Sequence, residues 1–277
     1  MVKRMAEVAV VTVAVVTVAV GRDKAGSDQK VGDATTPAKQ VLHVAHGKEG
    51  QSAGKGMAVM QQAAEADKYL FVFFYKAKNK RTRRMREIFD AAMLKVADKA
   101  ESIAINITDP LEKKTVNKFK TSRAPMPLVF SVAPNGAIVG SFPARFSEKQ
   151  LLGAFASPSM EKCLKALQER KYVILCVQNE ETHFNGEAMQ GVRDFVADRQ
   201  YARSTEIVKV DPRDANEADL LARFGLDSGS PDAVTVLLAP PRITVGTFQG
   251  GTDKDAFVAA ITQSKSGCRC GGGLTEE

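Results

Sequence analysis

Hydrophobic and polar positions along this chain follow two rhythms, and the same succession of rhythms occurs twice. Leu70-Phe71-Val72-Phe73-Phe74-Tyr75 is an unbroken apolar run, the pattern of a strand covered on both faces. Met85, Ile88, Phe89, Ala92 and Val96 then recur at helical spacing, which predicts an amphipathic helix. Residues 102–107 alternate as a second strand. Asp109-Pro110 opens a helix that runs to Phe119, proline being favoured in a first helical turn. Residues 126–132 and 137–142 read as strands joined by Pro134-Asn135-Gly136, a hairpin signal. Ser147 caps a last helix through Phe155, and a helix over 57–67, with Met57, Met60, Ala63 and Ala64 on one face, precedes the series.

Residues 171–263 repeat the order of 68–156. Lys68-Tyr69-Leu70-Phe71-Val72-Phe73 is answered by Lys171-Tyr172-Val173-Ile174-Leu175-Cys176, and Val139-Gly140-Ser141-Phe142 by Val245-Gly246-Thr247-Phe248. Ser157 caps a helix over 158–169. Strand 172–177, helix 184–199, strand 205–210 and a helix to Phe224 follow, then strands 233–238 and 243–248 and a helix over 253–263. Asp211-Pro212 stands as the counterpart of Asp109-Pro110. A repeat this long means two related domains, since solenoid periods are far shorter. Strands joined through helices imply parallel neighbours, and the terminal hairpin adds an antiparallel pair. The expected fold class is α/β, with two tandem domains that are each a mixed sheet flanked by helices on both faces.

The ends of the chain differ in character from its middle. Lys3 and Arg4 precede the run 8–20 of Val, Ala and Thr, and small residues follow at Ala19 and Gly21. This is the plan of a secretory signal. At 13 residues the run falls short of the ~20 that span a bilayer as a helix. Residues 1–21 are therefore expected to be a signal peptide or membrane leader. They would send the protein to the periplasm or the extracellular space, or tether it to the membrane. Residues 22–56 read as a polar linker, with a short edge strand at Val41-Leu42-His43-Val44 inside it. His43 and His46 form an i, i+3 pair with no acidic third ligand nearby. The first domain is placed at 57–156, the second at 157–264, and a flexible Gly/Cys tail at 265–277. With 44% hydrophobic and 26% charged residues, each copy has the means to bury its own core.

The order of elements resembles the thioredoxin-like superfamily, and three features carry the likeness. They are the apolar strand 70–75 running into a helix, the segment Ala124-Pro125-Met126-Pro127-Leu128-Val129-Phe130, and the Pro-Asn-Gly hairpin followed by Val-Gly-Ser-Phe. In that family a cis-proline opens the third sheet strand beside the active site. The resemblance assigns that place to Pro125 in the first copy and to Pro231 in the second, each five residues before an apolar position. The family also places Cys-x-x-Cys at the start of its first helix after the central strand. Here the first copy has Asn79 and Thr82, and the second has no cysteine between Cys176 and Cys268. Thiol–disulfide exchange needs an attacking thiolate, so the family's enzymatic activity is not expected and no catalytic residue is assigned.

Charge fills the gap. Lys76, Lys78, Lys80, Arg81, Arg83, Arg84 and Arg86 surround the missing cysteines. A helix N-terminus is already electropositive, so cations there build an anion site while opposing the helix. Local conflict of that kind marks functional sequence. Residues 68–156 carry 17 Lys/Arg against 7 Asp/Glu, whereas 171–263 carry 9 against 14. The candidate binding residues are Lys80, Arg81, Arg83, Arg84 and Pro125. The basic face would take a protein or small anionic partner, dock on the second copy, or stand as solvated surface. Nucleic acid is disfavoured, because no aromatic platform or recognition motif accompanies the cations.

Cysteines are few. Cys163, on a helix, and Cys176, in a strand, read as small buried hydrophobes. Cys268-Arg269-Cys270 lies on a glycine-rich tail and could chelate a soft metal such as copper or zinc, or form a labile disulfide. His183 reads as a surface residue. The sequence thus supports a redox-inactive, exported binding or scaffold module that needs no cofactor. The alternative is a thiol-redox or soft-metal protein working through Cys268 and Cys270.

Overall fold

The computed structural model describes residues 54–267. The first copy contains α1 (Lys55–Glu65), β1 (Tyr69–Tyr75), α2 (Lys80–Lys95), β2 (Ala100–Asn106), α3 (Lys113–Phe119), β3 (Leu128–Val132), β4 (Ile138–Pro143) and α4 (Glu148–Leu152). Its sheet has the order β2-β1-β3-β4. β1 runs parallel to β2 and antiparallel to β3, and β4 is antiparallel to β3. The second copy contains α5 (Pro158–Gln168), β5 (Tyr172–Val177), α6 (Asn185–Ala197), β6 (Thr205–Val210), α7 (Ala218–Arg223), β7 (Val234–Ala239), β8 (Ile243–Gln249) and α8 (Lys254–Gly267). Its sheet, β6-β5-β7-β8, has the same pairings. The chain therefore holds two tandem thioredoxin-like α/β domains.

The apolar run of β1 makes this layering possible. Alternate residues point to opposite faces. Phe71 and Phe73 pack on one face with Met85, Phe89, Ala92 and Met93 of α2 and Leu151 of α4. Leu70, Val72 and Phe74 pack on the other with Ala63 of α1 and Phe119 of α3. In the second copy, Ile174 and Cys176 of β5 meet Val192, Phe195, Phe257 and Ile261 from α6 and α8. Val173, Leu175 and Val177 meet Cys163, Leu164 and Leu167 of α5 and Leu220 and Leu221 of α7. The repeated Val-Gly-Ser/Thr-Phe also has a physical reason. A Cβ on Gly140 would lie 2.7 Å from the Phe142 ring, and one on Gly246 would lie 2.9 Å from Phe248. In each copy the ring folds back over the bare glycine of its own edge strand.

One apolar core passes from the α2 and α4 side of the first sheet to the α5 and α7 side of the second. Polar links accompany it. Tyr69 Oη donates to Glu161 of α5 and accepts from the Ala156 amide at 2.9 Å. The Gln168 side chain accepts from Ile138 N at 3.0 Å and donates to Ile138 O at 2.8 Å, completing the outer edge of β4. Burial, followed by the Glu161 contact, holds the Tyr69 phenol well above its ordinary range, and burial also raises Glu161. The basic start of α2 takes no part in these links.

Several boundaries depart from the sequence reading. α1 begins at Lys55, inside the stretch read as linker, and ends at Glu65 because Asp67 turns left-handed at φ 52°. α4 stops at Leu152, short of Phe155, with Gly153 as its C-cap. The counterpart of Asp109 is Asp214 rather than Asp211. Asp109 accepts from Leu111 N and Asp214 from Asn216 N, both at 2.9 Å, and each opens a short 3-10 turn. Asp211 instead turns the chain at the end of β6 by accepting from Arg213 N at 2.9 Å.

Each 3-10 turn ends in a buried carboxylate, Glu112 or Glu217, 7% and 4% exposed. Glu112 accepts from Gly56 N at 3.2 Å and from Thr115 Oγ1 at 3.0 Å. Glu217 accepts from Ser159 N at 3.2 Å and from the Ser157 hydroxyl. A carboxylate distant in sequence thus satisfies the free N–H groups that begin α1 and α5, where the helix dipole favours negative charge. Among the described residues no helix is long and apolar enough to cross a membrane.

Candidate functional site

β1 delivers the chain at Tyr75 to a short loop, and Asn79 starts α2. Asn79 is extended (φ −79°, ψ 176°) and its side chain accepts from Thr82 N at 2.9 Å. This is an ordinary N-cap. It puts Asn79 and Thr82 at the cap and the third helical position, one exposed and one buried. Those are the places that the family resemblance reserves for the two cysteines.

The four cations singled out by sequence, Lys80, Arg81, Arg83 and Arg84, are all exposed. No described carboxylate forms an ion pair with any of them, and the first turn of α2 holds no acid. By contrast α4, α5, α6, α7 and α8 carry Glu148, Glu161, Glu187, Asp219 and Asp255 in their first turns. α1 is served by Glu112. Arg86, one turn further into α2, is committed, with its Nε 2.7 and 2.9 Å from the Asp90 carboxylate oxygens.

Helical geometry divides the cluster. Lys80, Arg81 and Arg84 line a groove of about 490 Å³ together with Arg145, over a floor of Met85, Ile88 and Phe146. Arg83 faces the other way, into a cavity of about 550 Å³ with Phe73, Tyr75, Lys78, Thr82, Arg86 and Glu87. Arg145 escaped the sequence reading because it comes from the far end of the domain. Ala144, left-handed at φ 61°, donates its N–H to Pro127 O at 2.7 Å and sets Arg145 beside the start of α2. No local pattern announces that contact.

Pro125 requires correction. The cis peptide is Met126–Pro127. Pro127 is buried directly before β3, whereas Pro125 is exposed and lines neither groove. Counting five residues back from Phe130 misplaced it by two, because both prolines flank the same turn. In the second copy Val234 pairs with Val177 as Leu128 pairs with Phe74, so Ala233 stands where Pro127 does. Pro231 forms no cis bond there and accepts from His183 N at 2.8 Å.

The second copy's equivalent corner has another chemistry. Phe184, left-handed at φ 62°, precedes α6. A web of Asn179, Thr182 and Asn185 holds the loop. The His183 side chain is 71% exposed and lies 3.6 Å from Asp232, so it is a surface residue with an acidic neighbour. Glu181 pairs with Arg213.

Both described cysteines are free and buried, as expected. Burial pushes the Cys163 thiol up to about 12 and the Cys176 thiol up to about 11, which leaves neither ionised near neutrality. Residues 1–53, including His43, His46 and the 41–44 strand, lie outside the described residues, as do Cys268 and Cys270.

No protein-family model and no curated protein matches the sequence. Solved structures that resemble the chain are thioredoxin-fold proteins. The germline-specific thioredoxin Deadhead of Drosophila melanogaster aligns at 17% identity and TM-score 0.29, over 37% of this chain and 92% of its own. The first two thioredoxin domains of Saccharomyces cerevisiae Eps1p align at 9% identity and TM-score 0.28, over 73% of this chain and 94% of that one. Zinc-bound human ERp44 aligns at 10% identity and TM-score 0.32, over 73% and 56%. At such identities and scores nothing about activity or partners follows; strand order, pairing and helix placement define the class as thioredoxin-like.

Proposed function

We propose that the chain is a redox-inactive binding module, exported by its N-terminal segment. Its recognition face is the start of α2, built from Lys80, Arg81 and Arg84 with Arg145, and Arg83 on the adjoining flank. Pro125 is no part of this face, and Pro127 adjoins it only through the Ala144 N–H that its carbonyl accepts beside Arg145. The reading rests mainly on one observation: the cations crowd a helix N-terminus without a single described carboxylate paired to them. Asn79 and Thr82 offer no thiol there, and Cys163 and Cys176 are buried. The groove also has an apolar floor of Met85, Ile88 and Phe146, which suits an acidic peptide bearing an apolar side chain better than a bare anion. Arginine's planar fork matches carboxylates.

Fluorescence anisotropy with a labelled peptide rich in Asp and Glu and containing one Leu tests this. The wild-type chain should bind at low salt and weaken as salt screens the pairs. Arg81→Gln with Arg84→Gln should weaken binding by about tenfold, roughly the worth of 1.4 kcal/mol. Unchanged affinity in that variant would remove the reading.

A further inference from the structure

The cavity on the Arg83 side of α2 has a separate character. Its volume, about 550 Å³, falls within the ~300–1,000 Å³ typical of small-molecule sites. Tyr75 of β1 forms its accessible aromatic floor, Phe73 being only 1% exposed, and the stems of Lys78, Arg83 and Arg86 contribute to its walls together with Glu87. Such stems present apolar surface below a charged head. Arg86 is a fixed wall, because Asp90 holds its Nε and its guanidinium lies 5.7 Å over Phe73 and 5.6 Å over Phe89. Lys78 and Arg83 have no ion pair with any described residue.

Thr82 adds a hydrogen-bonding group. It lines the cavity and is only 7% exposed, yet its hydroxyl makes no hydrogen bond to any described residue; only its backbone N–H is used, by Asn79. The buried unpartnered hydroxyls among the described residues are those of Thr121, Thr205 and Thr252; that of Thr82 keeps solvent contact, so it is free to bond a ligand in the cavity it lines. Here it stands between an aromatic floor and two uncommitted cations.

We propose that this cavity binds a small amphiphilic anion. Its apolar chain or ring lies on Tyr75, and its carboxylate or phosphate head is held by Arg83 and Lys78, with the Thr82 hydroxyl donating a further hydrogen bond. The site goes beyond the acidic-peptide face: it shares Arg83 with that face but uses neither Arg81, Arg84 nor Arg145.

The test titrates the full chain with hexyl phosphate, hexanoate, 1-hexanol and inorganic phosphate, following backbone amides by NMR. Hexyl phosphate or hexanoate should shift amides of residues 73–87 saturably, and whichever is tighter identifies the head group. Hexanol and inorganic phosphate should each bind at least about tenfold more weakly. Thr82→Val, a near-isosteric change, and Lys78→Gln with Arg83→Gln should each weaken the tighter anion about fivefold or more. Amides of 100–132, in the same copy but away from the cavity, and of 171–263 should match the wild type in those variants, showing an intact fold. Arg81→Gln with Arg84→Gln should leave this binding unchanged while losing the acidic peptide, which separates the two claims. The site is disproved if neither amphiphile shifts these amides saturably, if hexanol or phosphate alone binds as well, or if Thr82→Val and the Lys78/Arg83 variant bind like the wild type.

Discussion

The starts of α2 and α6 occupy the same place in two copies of one fold, and they have opposite electrostatics. Around α6, Glu187 sits in the first turn, Glu181 is paired with Arg213, and the Thr182 and Asn185 side chains bond each other and the Asn179 backbone. The first-turn acid there agrees with the helix dipole, and the cation Arg213 is neutralised by Glu181. Around α2, Lys80, Arg81, Arg83 and Arg84 oppose the dipole and stand unpaired among the described residues. Folding accounts for the first arrangement and leaves the second unexplained. The same contrast runs through the copies, with net charges of +10 over 68–156 and −5 over 171–263. The scaffold is held in common; the corner that would have carried thiols is where the copies diverge.

What the copies share should be costly to remove from either. Glu112→Ala and Glu217→Ala each leave buried donors at the start of α1 or α5 without an acceptor, and each should cost about 2–3 kcal/mol in urea unfolding. A loss confined to one copy would break the equivalence of the two turns. Next in size is the cap. Asn79→Ala should cost about 1 kcal/mol by the same measurement, since nothing else in the first turn of α2 offsets the dipole. The smallest effect has the opposite sign. Arg81→Gln and Arg84→Gln should each stabilise the fold by about 0.3 kcal/mol at low salt, and the gain should shrink as salt rises. Destabilisation by either change would mean that these arginines serve the fold, and the contrast with α6 would lose its functional meaning.

The sequence exposes some of this well and some of it not at all. β1 and β5 are legible because a strand buried on both faces must be apolar throughout. The whole element order follows once Phe71 and Phe73 are seen to need one helical layer, and Val72 and Phe74 the other. Asn79 and Thr82 are located by counting along a regular strand and helix. Glu112 and Glu217 were missed although each stands three residues after its turn-opening aspartate. Asp-x-x-Glu is a helix-start spacing, but nothing local says that the carboxylate turns inward to another helix. Arg145 and the Gln168 bridge to β4 depend on contacts between segments distant in sequence. The sequence points to Pro125 instead of Pro127 because two prolines share one turn, and only the backbone shows which of them carries the cis bond.

The α2 corner, and not its counterpart, is the one proposed to recognise negative charge. Mapping amide shifts of the full chain during titration with the acidic, Leu-bearing peptide tests this most directly. The account predicts saturable shifts over residues 78–88 and 143–147 and none over 180–190. Shifts over 180–190, or a chain that ignores the peptide at low salt, would contradict it.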